Sequence, residues 1–240
     1  MIAKEWRIPL LVGACVLLAG ALYYFRTELS STSEIDARGK MSLVDLAEEV
    51  PGLLVDLKYY SGDNFTGRKV PGYGANRALG TPQLAEALKG VQEELSTTGL
   101  SLIIYDAYRP RRAVDHFVRW AANAGDTVQK SRFYPKLSKA ELFEKGYIAS
   151  PSSHSRGSTV DVGLWNVQQN EALDMGTEFD YFGPESGRGN QALSEHQRAN
   201  RSLLREAMIM HGFEAYAREW WHFTLRDEPF PDRYLDVKIR

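Results

Sequence analysis

Residues 150–164 read SPSSHSRGSTVDVGL, which sets His154 seven residues before Asp161 across a run of small and flexible residues. Far downstream, EWWHF sets Glu219 three residues before His222. Imidazole and carboxylate groups suit zinc, which in catalytic sites takes three protein ligands and keeps a fourth position for water. A spare glutamate can then take a proton from that water. Two histidines, an aspartate and a glutamate are therefore the parts of a zinc peptidase. Gly157 permits a tight reversal that lets His154 and Asp161 converge on one point. Glu219 and His222 would point to opposite faces of an extended strand, so a turn or helical step at Trp220 and Trp221 is needed to bring them together. Each pair alone has a plainer reading. The first is a surface histidine with an aspartate in a turn; the second is an aromatic core segment with a surface glutamate and a buried, hydrogen-bonded histidine.

Arg109 follows an apolar strand and precedes Pro110 in YDAYRP. A permanent cation with five donors there suits a developing oxyanion or a carboxylate; the plainer reading is a surface ion pair with Asp106 or Asp115. His116, His196 and His211 are not assigned to the metal, His211 because it precedes Gly212 where a histidine favours a helix C-terminus. Cys15 is the one cysteine, which excludes an intrachain disulfide and a cysteine-based zinc site. A formal net charge of -2 gives no electrostatic reason to expect nucleic acid as a partner.

The elements that must position these groups can be read in order. At 240 residues, with 43% hydrophobic and 25% charged residues, the chain has the length and composition of one well-buried globular domain. Residues 8–25 are uncharged and follow Lys4 and Arg7, and such a run is at the short end of the roughly 17–25 residues that span a bilayer. Residues 1–26 thus read as a signal peptide or membrane anchor, with cleavage left open. Export to the periplasm or cell envelope is expected, with the membrane touched only through residues 8–25. Residues 27–40 are a polar linker, and residues 41–240 the folded domain. LLVDLKYY is an alternating strand, and SGDNFTGRKVPGYG a long loop whose aromatic residues argue against disorder. Thr81 and Pro82 open a helix that Gly99 ends. LSLIIYDAYRP is a buried strand running into a turn, RRAVDHFVRWAANAG a helix, SKAELFEKGY a short helix and TVDVGLW a strand. A long loop precedes the last helix, which Ser194 caps and Gly212 stops. FEAYAREWWHFTL reads as strand, break, strand. The expectation is α+β, with a mainly antiparallel sheet flanked by helices.

Taken together, these segments resemble the bacterial D-alanyl-D-alanine dipeptidases, the VanX type of zinc peptidase. The likeness runs from about Leu53 to the C-terminus and is carried by DNFTG at 63–67, YGANR at 73–77, GTPQLAEAL from Gly80, YDAYRP at 105–110, KGYIASPSSHSRGSTVDV, MGTEFDYF at 175–182 and GFEAYAREWWHF. It implies His154, Asp161 and His222 as ligands of one Zn2+ per chain, Glu219 as catalytic base and acid, and Arg109 as transition-state stabiliser. It also implies the fold shared with the wider D-Ala-D-Ala and lysostaphin-like zinc peptidases, and a small D,D-dipeptide as substrate. Ser152, next to His154, is expected to hold the substrate amine, and Tyr60 or Tyr73 to line a small pocket. One departure stands out: the wider pattern S-x-H-x-x-G-x-A-x-D has Thr159 in place of its alanine. Two rival readings are a D,D-carboxypeptidase with a more open pocket and a non-enzymatic zinc domain that binds peptidoglycan or a protein. The presence of Glu219 stands against the second.

Overall fold

Two apolar strands form the centre of the sheet. β4 (Leu100–Asp106) is buried at every position after its first residue, and β5 (Thr159–Asn166) over its first six. The computed structural model describes residues 41–240; the signal or anchor and linker expectations for residues 1–40 lie outside them. Leu43–Arg240 form one compact unit. Among the described residues no helix is long and apolar enough to cross a membrane.

A six-stranded sheet runs in the order β2 (Leu54–Val55), β4, β5, β8 (His222–Leu225), β7 (Phe213–Ala215), with β6 (Glu171–Ala172) paired to β5. The sheet is mixed rather than the mainly antiparallel one expected. β2 lies parallel to β4, and the remaining pairings are antiparallel. The physical reason is the connection: residues 56–99 leave β2 and return through a helix, and only such a crossover lets two strands run the same way. β1 (Val44–Asp45) and β3 (Leu79–Gly80) make a separate antiparallel pair.

Helix α1 (Pro82–Ser96) starts as its sequence dictates. Thr81 Oγ1 accepts from the Leu84 N–H at 3.3 Å, Pro82 occupies the first turn, and Leu84, Leu88, Val91 and Leu95 form the buried stripe. α2 (Arg111–Ala122) buries Ala113, Val114, Phe117 and Trp120, while α3 (Lys139–Glu144) opens with a capping box between Ser138 and Glu141. α4 (Glu195–Met210) opens with another, between Ser194 and Gln197, and packs on α1 and β7.

The long loop after β2 is ordered from within. Asn64 donates to the Lys58 and Arg68 carbonyls, and its Oδ1 accepts from the Thr66 N–H. This seats Phe65 against Phe117, Trp120 and Phe182 at ring separations of 4.9, 5.0 and 5.1 Å. Beyond β8 the chain doubles back as a strap. Leu235 donates its N–H to the Ser155 carbonyl and accepts at its own carbonyl from Arg111 N–H, and Ile239 O takes the Gly74 N–H at 2.8 Å. A side chain at Gly74 would meet that carbonyl at 2.4 Å, so glycine is required there.

Candidate active site

Strand register does the first part of the work. A β-bulge after Ile104 sets Asp106 opposite Asp161, and Asp161 lies opposite His222, so one residue from each of β4, β5 and β8 falls in a single row. His154 reaches the row from a turn of 3-10 helix, Ser153–Arg156, closed by Gly157 at φ +76°. That left-handed backbone is the reversal expected of Gly157. The turn expected at Trp220 and Trp221 is also present, and it brings Glu219 Oε2 to 3.8 Å from His222 Nδ1. Trp221 anchors this turn, wholly buried against Phe179, while Trp220 Nε1 donates to Thr177 Oγ1 at 2.9 Å.

His154 Nδ1 sits 2.8 Å from the Ala107 carbonyl. A carbonyl can only accept, so Nδ1 carries the hydrogen and Nε2 turns its lone pair into the row. There His154 Nε2 is 3.3 Å from His222 Nδ1 and 3.3 Å from Asp161 Oδ2, and His222 Nδ1 is 3.0 Å from Asp161 Oδ1. Two ligands about 2.0–2.1 Å from a tetrahedral zinc ion stand roughly 3.3–3.4 Å apart. The two imidazole nitrogens meet that spacing and the Asp161 carboxylate offers one oxygen to each of them, so the cluster suits that ion in chemistry.

Charge in the cleft is strongly perturbed. Burial opposes ionisation of Asp161, yet the facing imidazoles of His154 and His222 hold its carboxyl well below the usual range. Burial lowers the His222 pKa, with Asp161 working against that shift. Glu219 is raised well above an ordinary glutamate, by burial first and then by the charges of Asp161 and Asp180.

Arg109 is not a surface residue. Its Nε and Nη2 both donate to Asp106 Oδ2 at 2.9 Å, Nη2 stands 3.6 Å from Asp161 Oδ2, and the guanidinium lies 5.0 Å from the Tyr59 ring centre. The partner is thus the Asp106 of the plainer reading, but the pair is buried and faces the cleft. Tyr73 lies behind it, donating its hydroxyl to Asp106 Oδ1 at 2.6 Å.

These groups line a cleft of about 390 Å³, and Ser152 is in its wall. Tyr60 and Tyr73 are not. The helical turn Lys58–Ser61 directs Tyr59 inward and leaves Tyr60 against Lys69, 4.1 Å from its ring centre, while Tyr73 is spent on Asp106. Tyr59 takes the expected wall position. Asp180 went unnoticed in the sequence. It lines the cleft at 3% exposure, with φ +62°, accepts the Tyr59 hydroxyl at Oδ1 (3.1 Å), and has no partner at Oδ2. Burial, then the charge of Asp161, raises its pKa well above the ordinary range. Thr159, the departure from the family pattern, is also accounted for: its hydroxyl pairs with Thr224 Oγ1 at 3.0 Å across β5 and β8.

A mixed α+β sheet gathers two histidines, acidic side chains and a buried arginine in one cleft, the groups a metallopeptidase needs. The chain belongs to the D-Ala-D-Ala dipeptidase family, whose sequence model matches residues 39–240. A D-alanyl-D-alanine dipeptidase of Enterococcus faecium is 44% identical over 195 residues, covering 81% of this chain and 96% of that one. One from Streptomyces coelicolor is 44% identical over 201 residues, covering 84% and 98%. Among solved structures, a mutant of the vancomycin resistance D,D-pentapeptidase VanY in complex with Zn(II) is similar with a TM-score of 0.38 and 14% identity, covering 64% of this chain and 76% of that one. The family likeness drawn from the motifs therefore holds.

Proposed function

We propose that the protein hydrolyses the dipeptide D-Ala-D-Ala to two D-alanines, with His154, Asp161 and His222 holding one Zn2+ ion. The observation that carries this reading is the cluster itself: the two imidazole nitrogens stand 3.3 Å apart, each has an Asp161 oxygen within 3.3 Å, and Glu219 lies beside them. The ion supplies Lewis acidity, which activates water near neutral pH. Glu219 takes the proton from the attacking water and returns it to the leaving amine, the two halves of general base and acid catalysis. Its buried position raises its proton affinity, which suits a group that must both accept and release. Arg109, held by Asp106, offers its guanidinium to the developing oxyanion.

Asp180 favours a dipeptidase over a D,D-carboxypeptidase. A dipeptide carries a free ammonium one residue from the scissile bond, and Asp180 Oδ2 is a buried acceptor with no partner of its own. A longer peptide places a neutral amide there, whose single N–H offers that side chain a weaker bond than an ammonium does. Ser152 supplies a hydroxyl from the same wall, with the ammonium role expected of it passing to Asp180. Residues 8–25 direct export to the periplasm or cell envelope in this reading.

The test is release of D-alanine from D-Ala-D-Ala, with and without a chelator. Chelator-sensitive release, absent with L-Ala-L-Ala and weak with a pentapeptide ending in D-Ala-D-Ala, is the expected result. Release from the pentapeptide alone moves the protein to the carboxypeptidases. Silence on both with zinc bound leaves a binding module.

A further inference from the structure

Helix α4 carries Arg198, Arg201 and Arg205 at i, i+3 and i+7, which places them along one face. With Arg188 from the preceding loop they line a second cavity of about 180 Å³. Tyr216 and Glu219 belong to this cavity and to the catalytic cleft, so the two share a wall.

Like charges at helical neighbour positions destabilise a helix unless something balances them. Among the described residues, none of the four arginines has a carboxylate within ion-pair distance. Arg201, at 9% exposure, donates instead to the backbone carbonyls of Met175 at 2.6 Å, Glu185 at 3.1 Å and Gly187 at 3.2 Å. Arg198 donates to the Leu193 carbonyl. Arg205 Nε is buried with no partner at all, and the Arg188 side chain makes no hydrogen bond among the described residues. Burial lowers Arg201 to about 10, with the charge of Asp174 working against that shift. A buried, unpaired donor in a pocket of four cations is a defect unless a ligand completes it.

We propose that this cavity is an anion site that takes a phosphate group, either free or as a monoester. A phosphate dianion has enough oxygens to accept from several guanidinium forks at once, and its charge answers more of the cluster than one carboxylate could. An occupant would lie against Tyr216, whose ring packs on His222 at 5.6 Å, and so would be felt across the shared wall.

The test is phosphate binding to the full zinc-loaded chain at fixed ionic strength, followed by 31P NMR line broadening and by thermal unfolding. Inorganic phosphate and phenyl phosphate are the two probes. Arg188→Gln with Arg205→Gln is the chosen double variant, because neither side chain makes a hydrogen bond that folding would miss. Saturable binding of either probe is expected, with the tighter one naming the source of the group. The double variant should unfold at a similar temperature without phosphate and lose roughly tenfold or more in affinity for each guanidinium removed. No saturable binding of either probe, or binding unchanged in the double variant, overturns the proposal.

Discussion

Asp161 and His222 face each other in register across β5 and β8, with Oδ1 and Nδ1 3.0 Å apart. Antiparallel pairing therefore sets side by side two of the three residues of the candidate metal cluster. The third residue, His154, is steered by the Ala107 carbonyl, which sets its tautomer, with the Asp106 carboxylate 3.5 Å from the same nitrogen. Strand register and one backbone carbonyl thus position all three residues.

Glu219→Gln should leave the zinc content unchanged while lowering kcat by about 100- to 10,000-fold, the usual range for losing a general base. Metal analysis and D-alanine release on the same preparation check it. Loss of zinc together with activity would make Glu219 a ligand and sink the assignment.

Arg109→Met should lower kcat/KM by about 100- to 1,000-fold, as for loss of one oxyanion donor. It should also destabilise the fold by about 3–5 kcal/mol, because Asp106 would be left buried without its cation. Kinetics and denaturant unfolding read the two effects separately, and full activity in the variant would exclude a role for Arg109 at the oxyanion.

Asp180→Asn should lower kcat/KM for D-Ala-D-Ala by roughly 10- to 100-fold, the worth of a hydrogen bond to a charged group. The N-acetylated dipeptide, which has no ammonium, should react equally with both proteins. Equal losses on the two substrates would show that Asp180 shapes the cleft without reading the amine.

The same residue makes a prediction about pH. In metal-stripped protein the raised pKa of Asp180 means that the folded state keeps a proton the unfolded chain releases. Its contribution to stability is thus complete below the ordinary aspartate pKa and is lost as pH rises through the raised value. Asp161 has the opposite sign, its contribution being lost as pH falls. Urea unfolding of metal-stripped protein between pH 5 and 8 should show Asp180→Asn gaining on the parent as pH rises. Parallel curves would contradict the shift.

Thr159→Ala restores the family pattern but strands the Thr224 hydroxyl. It should cost about 0.5–1.5 kcal/mol of stability and leave zinc content and kcat unchanged. A large fall in kcat would mean that the Thr159 and Thr224 pair positions the ligands rather than merely joining two strands.

The clustering of His154, Asp161 and His222 was legible because their chemistry is restrictive and Gly157, Trp220 and Trp221 mark the turns it needs. Arg109 was legible for its place after a buried strand, but its partner was not distinguishable from Asp115. Asp180 left no trace in spacing, because its role arises from a cleft built by Tyr59 and Arg109, both far away in the chain. Tyr59 rather than Tyr60 lines the cleft because a single helical turn at Lys58–Ser61 decides which ring points inward, and no periodicity shows over so short a span. The parallel β2 was missed for a related reason: two residues carry no signal of direction.

The strap that follows β8 adds a tie between two parts that already meet directly, through the Arg109 N–H on the His154 carbonyl and Ser155 Oγ on the Arg109 carbonyl. Leu235 holds the backbone of the His154 turn on one side and the start of α2, just past Arg109, on the other. Neither tie involves a catalytic atom. A break in the backbone between residues 226 and 235 would nonetheless loosen both walls of the cleft without removing any of its side chains. Chain integrity in this remote segment is therefore built into the chemistry, so a nicked molecule would betray its damage as a fault in turnover.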